Sequence, residues 1–435
     1  MEQKPVKIFS TSNVPRLNYI ADLILREILG VSWELITDKR RLGKSPVINY
    51  SDEVIPGSLK ISPAPLLFES GIKAREITVS EWSNLPVFFQ TGPDSDLPFD
   101  IFAASFYLVT RYEEYLQFEP DEHGRFRSSS SLAHRNGFLG IPVVDLWSKE
   151  LARVLVRKFQ RLAFRPNEYC ANTTIDIDEP FPGTLSGIIG NIGGLFHELT
   201  SKSGITGKPR VDNAAGGKPD NEVFDYLTDR LKESRQPAGF FFLLGKRSAY
   251  EKNPSWRNKE YRGLISRISG HFSTGIHPSF RASTDGALVA AEINRLKIIL
   301  NKEILRSRFH FLKISMPRSY RNLTGAGIKE DYSMGYPDEP GFRAGIARPF
   351  GFYDVVEDKT TGLKIFPFMV MDVTLTVYKK LHPAKAKEII NDMISKTRLA
   401  GGVFTSIWHN TTLLNTPECR PWREVFEYVL DRQAP

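Results

Sequence analysis

The chain has 435 residues, too many for one ordinary small domain, and its 41% hydrophobic and 25% charged residues exclude a disordered polymer. The net charge of +8 is spread out: the only tight cluster is Lys39-Arg40-Arg41 with Lys44, and no aromatic-interleaved motif accompanies it. That excludes a recognisable nucleic-acid module and leaves an anionic glycan, a lipid-linked substrate or peripheral contact with a membrane surface.

The first third reads as α/β. Val6 to Ser10 predicts a strand, and Leu17, Ile20, Ala21, Ile24 and Ile28 fall at helical spacing over Arg16 to Leu29, with Gly30 as C-cap. Strands are expected at 33–37 and 47–50. Asp100 to Leu116 predicts an amphipathic helix capped by Asp100. Its acidic end (YEEY, from Tyr112) and the following DEHGR segment (from Asp121) read as packing and surface. A further helix is expected from Trp147 to Leu162, ending near Arg165-Pro166. The domain boundary is placed there, giving units 1–165 and 166–435.

Beyond it, short β-rich runs alternate with helical ones: strands at 173–177, 240–244, 274–276, 309–314, 368–373 and 403–408, with helices between several of them. Repeated strand-then-helix units predict parallel strands joined by crossovers, and a barrel is one closure of that pattern. The Gly-, Pro- and Lys-rich connection from Lys202 to Asp220 reads as a solvated loop, with a lid as the alternative. Cys170 and Cys419 show no ligand spacing, and no apolar run reaches membrane-spanning length. With no signal-peptide core in the first twenty residues, a cytoplasmic location is expected.

Chemistry is concentrated in Thr173-Thr174-Ile175-Asp176-Ile177-Asp178. On a strand, residues i and i+2 share a face, so Asp176 and Asp178 would project together. Two close carboxylates repel unless one is protonated or a cation lies between them, so one acid is assigned as metal ligand and the other as general base. The plain alternative is a strand-end turn with solvated acids before Pro180. His277 stands where a strand should stop at Pro278, and His310 stands in the aromatic run RFHFL. Two histidines and a carboxylate make a ligand set with open positions, suited to zinc first and to cobalt, nickel or iron as alternatives. His409 closes the last apolar run, where a general acid is wanted, and Asp372 is a candidate to hold its imidazole. Arg343, in GFRAG, is a candidate to orient Asp176 by a charge-assisted pair.

With these residues in view, the last 270 positions resemble the NodB-homology polysaccharide deacetylases, in particular a divergent bacterial branch joined to a poorly characterised N-terminal domain. The resemblance is carried by TIDIDEP, FFFLLG, GIHPS, RFHFLKISMPRSYRNLTGAGIKEDYSMGY, GFRAG, PFGFYD, MDVTL and SIWHN, in that order. It implies an α/β fold, a distorted (β/α) barrel preceded by a smaller α/β domain, and metal-dependent removal of an acetyl group from an acetylated carbohydrate. By position it implies Asp176 as base, Asp178 and His277 as ligands and His409 as acid. Two departures stand out. Ile177 separates aspartates that are adjacent in the family, and Arg281 occupies the place of the second metal-binding histidine, so His310 is taken as its substitute. The rival readings are a catalytically inactive glycan-binding protein on the same fold, and a glycoside hydrolase.

Overall fold

The computed structural model describes residues 4–165, 168–181 and 221–434. The Lys202 to Asp220 connection lies outside these residues.

The first part of the chain builds a four-stranded parallel sheet in the order β2-β1-β3-β4, from β1 (Val6–Phe9), β2 (Trp33–Ile36), β3 (Val47–Asn49) and β4 (Leu59–Lys60). A small hairpin, β5 (Ser80–Trp82) with β6 (Leu85–Val87), follows. Two helices depart from expectation. The helix after β1 is regular over Pro15–Ala21 and then widens over Asp22–Ile28, where the Leu29 amide reaches the Ile24 carbonyl, before Gly30 turns the chain at a φ of +67°. The second runs only from Ile101 to Val109 with all nine residues buried, so it is a core helix and not an amphipathic one. Asp100 caps it through the amides of Phe102 and Ala103. It stops because Arg111 takes a left-handed conformation (φ +55°), which turns a fully buried guanidinium toward Glu113, Glu114 and Tyr336. The next long helix runs from Val143 to Lys158, starting four residues before Trp147.

The second sheet has nine strands: β7 (Cys170–Ile177), β8 (Ala238–Leu243), β9 (Ser273–His277), β10 (Arg306–Ser307), β11 (Glu330–Asp331), β12 (Phe350–Asp354), β13 (Lys359–Ile365), β14 (Val370–Met371) and β15 (Val403–His409). Their order is β12-β13-β11-β10-β9-β8-β7-β15-β14, and only the β12–β13 pair is antiparallel. Helices 221–234, 259–269, 286–300 and 383–400 supply crossovers. Burial on both faces explains why β8 reads as an unbroken apolar run, AGFFFL. Gly275 in β9 is required by close approach, since a Cβ there would lie 2.6 Å from the Phe241 ring and 2.8 Å from the Arg306 carbonyl.

Among the described residues strand pairing does not close into a ring, because β12 and β14 remain edges. Residues 366–369 nevertheless run from β13, near one edge, to β14 at the other, a distance of at most about 18 Å. Along this link Phe366 and Phe368 donate to the carbonyls of Asp331 and Met334, and Met369 donates to that of Thr405. The run 309–314, expected as strand, is instead a tight turn over His310–Leu312 after the two-residue β10, with Phe311 and Leu312 at φ of +60° and +53°.

The two sheets share one continuous apolar core. Tyr19 and Phe106 pack on Tyr353 at ring separations of 4.8 and 5.3 Å. Among the described residues no helix is long and apolar enough to cross a membrane.

Candidate functional site

Parallel strands deliver their C-terminal ends to one edge of the sheet, where open α/β sheets place their ligand sites. Asp176 occupies the penultimate position of β7, in register with His409 of β15 on one side and Phe241 of β8 on the other. Asp178 follows one residue beyond the strand, and His277 ends β9. His310 arrives from the turn after β10. Six of the seven residues singled out in the sequence lie around this edge.

Asp178 is the meeting point. One of its oxygens lies 3.2 Å from His277 Nε2, and the other 3.5 Å from His310 Nε2 and 3.7 Å from His409 Nε2. Asp176 turns Oδ2 toward the same space, 3.9 Å from both His277 Nε2 and His409 Nε2. Ligand atoms of Asp178, His277 and His310 all lie within 4.8 Å of one another. For an ion about 2.0–2.1 Å from each ligand, a tetrahedral edge is roughly 3.4 Å, close to the two shortest of these separations.

Two further features fit a cation. Asp178 Oδ1 is buried without a hydrogen bond. Each histidine of the cluster also has an oxygen behind Nδ1: the Arg308 carbonyl at 2.5 Å for His277, and Glu251 Oε1 at 3.6 Å for His310. A carbonyl can only accept, so His277 carries a proton on Nδ1, which leaves Nε2 as the atom that would face a bound cation. Glu251 is itself fixed by the Phe280 amide at 2.8 Å and by Ser248. The donor set is imidazole and carboxylate, which suits zinc and neighbouring first-row metals.

Arg343 does not orient Asp176. It forks onto Glu114, at 2.9 and 2.6 Å, within the buried cluster around Arg111. The guanidinium at Asp176 belongs to Arg308, a residue that the sequence reading passed over. Arg308 is fully buried and donates to Asp176 Oδ1 (2.7 Å), Thr174 Oγ1 (2.7 Å) and the Tyr332 carbonyl (3.0 Å), with the Phe241 ring beneath it at 4.5 Å. The available signal was its place two residues before His310, both flanking the inward Phe309. Glu251 was also missed, and nothing in its local sequence marks it.

Residues 6–160 match DUF7033, a family of unknown function. No curated protein matches the chain significantly. Among solved structures, a provisionally named polysaccharide deacetylase from Mycobacterium smegmatis is 16% identical, with a TM-score of 0.40 over 62% of this chain and 86% of that one. A polysaccharide deacetylase from Bacillus cereus is 13% identical, with a TM-score of 0.30 over 60% and 85%. A CE4 family pseudoenzyme from Bacillus anthracis is 8% identical, with a TM-score of 0.30 over 62% and 63%.

Asp372 receives the His409 imidazole on Oδ1 (Nδ1 at 2.7 Å) and the His409 backbone amide on Oδ2 (2.7 Å), with Thr412 donating to the same Oδ2. This fixes the ring so that Nε2 faces the carboxylates of β7. Burial opposes the charged form of His409, but Asp372 in contact, then Asp178 and Asp176, push it up to about 10. His310 behaves likewise: burial opposes its charge, and Asp178 and Glu251 raise it to about 9. Burial also disfavours the Asp178 anion, yet the imidazoles of His310 and His277 hold it well below the usual carboxylate range.

The matched N-terminal segment reaches this site. Arg125 of the DEHGR segment is 3% exposed and donates to the Phe311 carbonyl at 2.8 Å, while Asp121 fixes its Nε at 2.7 Å. The His123 ring lies 5.0 Å from that of Phe311. The segment expected to be surface therefore clamps the turn that carries His310.

Proposed function

We propose that the chain is a metal-dependent hydrolase that removes an acetyl group, N-linked in the first instance, from a sugar or polysaccharide precursor. The observation that carries this reading is the convergence of two β7 carboxylates with three histidines from separate strand ends. Residues 166–435 would form the catalytic unit, a curled deacetylase-type barrel, and residues 1–165 an accessory unit packed against it.

Asp178, His277 and His310 would hold the divalent cation, zinc first, which when bound polarises an acyl oxygen and makes water more acidic. Asp176 is the base. Arg308 fixes its Oδ1, leaving Oδ2 to take the proton of the water that attacks the acetyl carbon. His409 Nε2 is the acid, protonated at neutral pH and held by Asp372. It donates its proton to the amine nitrogen as the carbon–nitrogen bond breaks, giving acetate and a free amino sugar. A glycoside hydrolase is less well served, because its two carboxylates flank the sugar, whereas Asp176 and Asp178 leave one strand end together.

The test is acetate release from acetylated sugars by the zinc- or cobalt-loaded protein, with metal content measured in parallel. Asp176→Asn is expected to lower turnover by roughly 10²–10⁴ while metal content stays at the wild-type level. Undiminished turnover would show that Asp176 is not the base. No bound metal and no activation by added zinc or cobalt would favour the inactive, glycan-binding alternative.

A further inference from the structure

The place where the deacetylase pattern expects a second histidine is occupied by Arg281, and that side chain is exposed beside a cleft of about 370 Å³. The cleft lies between the loops that carry two of the candidate ligands. Phe280, three residues after His277, lines it. Its amide donates to the same Glu251 oxygen that lies 3.6 Å from His310 Nδ1. Lys313, three residues after His310, lines it as well, with Nζ 3.6 Å from the Phe280 ring centroid. Arg318, the first residue of helix 318–325, completes the wall.

Among the described residues Arg281, Lys313 and Arg318 pair directly with no carboxylate, although Asp121 acts on Lys313 from a distance. The one acid in the wall, Asp285, is engaged as a helix cap by the amides of Ala287 and Leu288 at 3.0 and 3.2 Å. With the Asp285 carboxylate set against Arg281, Lys313 and Arg318, the wall carries a net charge of about +2, a positive potential that an anion would relieve, and two guanidinium forks match phosphate oxygens in geometry. The volume lies in the range of small-ligand sites.

We propose that this cleft is a phosphate subsite, so that the sugar worked on at the adjacent centre carries a phosphate group, as a sugar phosphate or a phosphate-linked sugar. The sugar part of this statement rests on the deacetylase reading; the anion part rests on the cleft alone. A wall of three cations and one carboxylate favours a phosphate dianion over a single carboxylate, which would leave one positive charge unmatched.

The experiment uses the metal-loaded full chain and the double variant Arg281→Gln/Arg318→Gln. Both residues are exposed, and Lys313 is left in place because its side chain packs on Phe280. Acetate release is compared for N-acetylglucosamine 1-phosphate, N-acetylglucosamine and the corresponding uronic acid, and binding of inorganic phosphate is measured by calorimetry. Wild-type protein is expected to favour the phosphorylated sugar by about tenfold or more in kcat/KM through a lower KM. The double variant loses that preference and the phosphate binding, while its rate on the neutral sugar and its metal content stay unchanged. Equal kcat/KM for phosphorylated and neutral sugars, or phosphate binding that survives the double variant, overturns the subsite and leaves the deacetylase reading intact. Preference for the uronic acid overturns phosphate as the anion. Phosphate binding lost in the variant, with no acetate released from any sugar, retains the subsite and removes the deacetylase reading.

Discussion

At Asp176, the neighbouring guanidinium determines which carboxylate oxygen is available. Arg308 occupies Oδ1 from a fully buried position, and Oδ2 is left facing His277 and His409. Replacing Arg308 by Met removes the only guanidinium at this acid among the described residues and leaves the buried carboxylate without its hydrogen-bonded cation, at a cost of roughly 3–5 kcal/mol. Denaturant unfolding is expected to show that loss, and Arg308→Lys to recover only part of it, because one ammonium cannot reach Asp176, Thr174 and the Tyr332 carbonyl together. The histidines predict a pH dependence. His409 at about 10 and His310 at about 9 both lie above the ordinary 6.5. The folded metal-free protein therefore binds more protons than the unfolded chain between these values. Linkage makes their contribution complete below 6.5, and it declines as pH rises through 9 and 10. The melting temperature of metal-free protein should fall across that window, and Asp372→Asn should flatten the part due to His409. A melting temperature constant from pH 6.5 to 10 in wild-type protein would contradict the assignment.

Among the elements, the informative one is the turn over His310–Leu312. Read as strand, RFHFL places His310 by alternation. In the fold, Phe311 and Leu312 adopt positive φ, a strained backbone for large side chains that is maintained only by surrounding contacts. Arg125 supplies one of them through the Phe311 carbonyl, and Tyr378 holds the far side of the same guanidinium at 3.1 Å. Arg125→Ala is expected to weaken cobalt or zinc binding by about 10–100-fold, the usual scale for residues that position a ligand from behind. Arg125→Lys should restore part of it. Metal affinity equal to wild type in Arg125→Ala would assign Arg125 to packing alone.

For the whole molecule, the division near residue 165 is a division of sheets and not of cores. The fork of Arg343 onto Glu114, the pair of Arg348 with Asp145 at 2.6 Å, and the pair of Arg16 with Asp358 at 2.6 Å all cross it. Residues 166–435 expressed alone would expose Arg343 without Glu114 and an apolar face now covered by Tyr19 and Phe106. Such a fragment is expected to lack a cooperative unfolding transition, and circular dichroism during heating is the check. A sharp transition near that of the full chain would mean that the two parts fold independently.

Much of this was legible in the residues. The alternation of β-branched and apolar runs with helical spacing marks β7, β8, β9 and β15 to within a few residues, because burial on both faces demands unbroken apolar strands. The same runs place Asp176, Asp178, His277 and His409 at strand ends, and Pro278 marks where one strand stops. Local sequence also specifies the Asp100 cap, since its carboxylate bonds within the next three residues. What it could not specify are the partners separated by long stretches of chain. Arg308 and Arg343 are both arginines near apolar residues, and only the packing of β10 across from β7 gives the first to Asp176 and the second to Glu114. Glu251 and Arg125 join the site in the same way. The candidate acids and imidazoles are thus a property of the sequence, whereas which cation, carbonyl or carboxylate stands behind each of them is decided by tertiary structure, because side-chain electrostatics depend on distances that the order of residues does not contain.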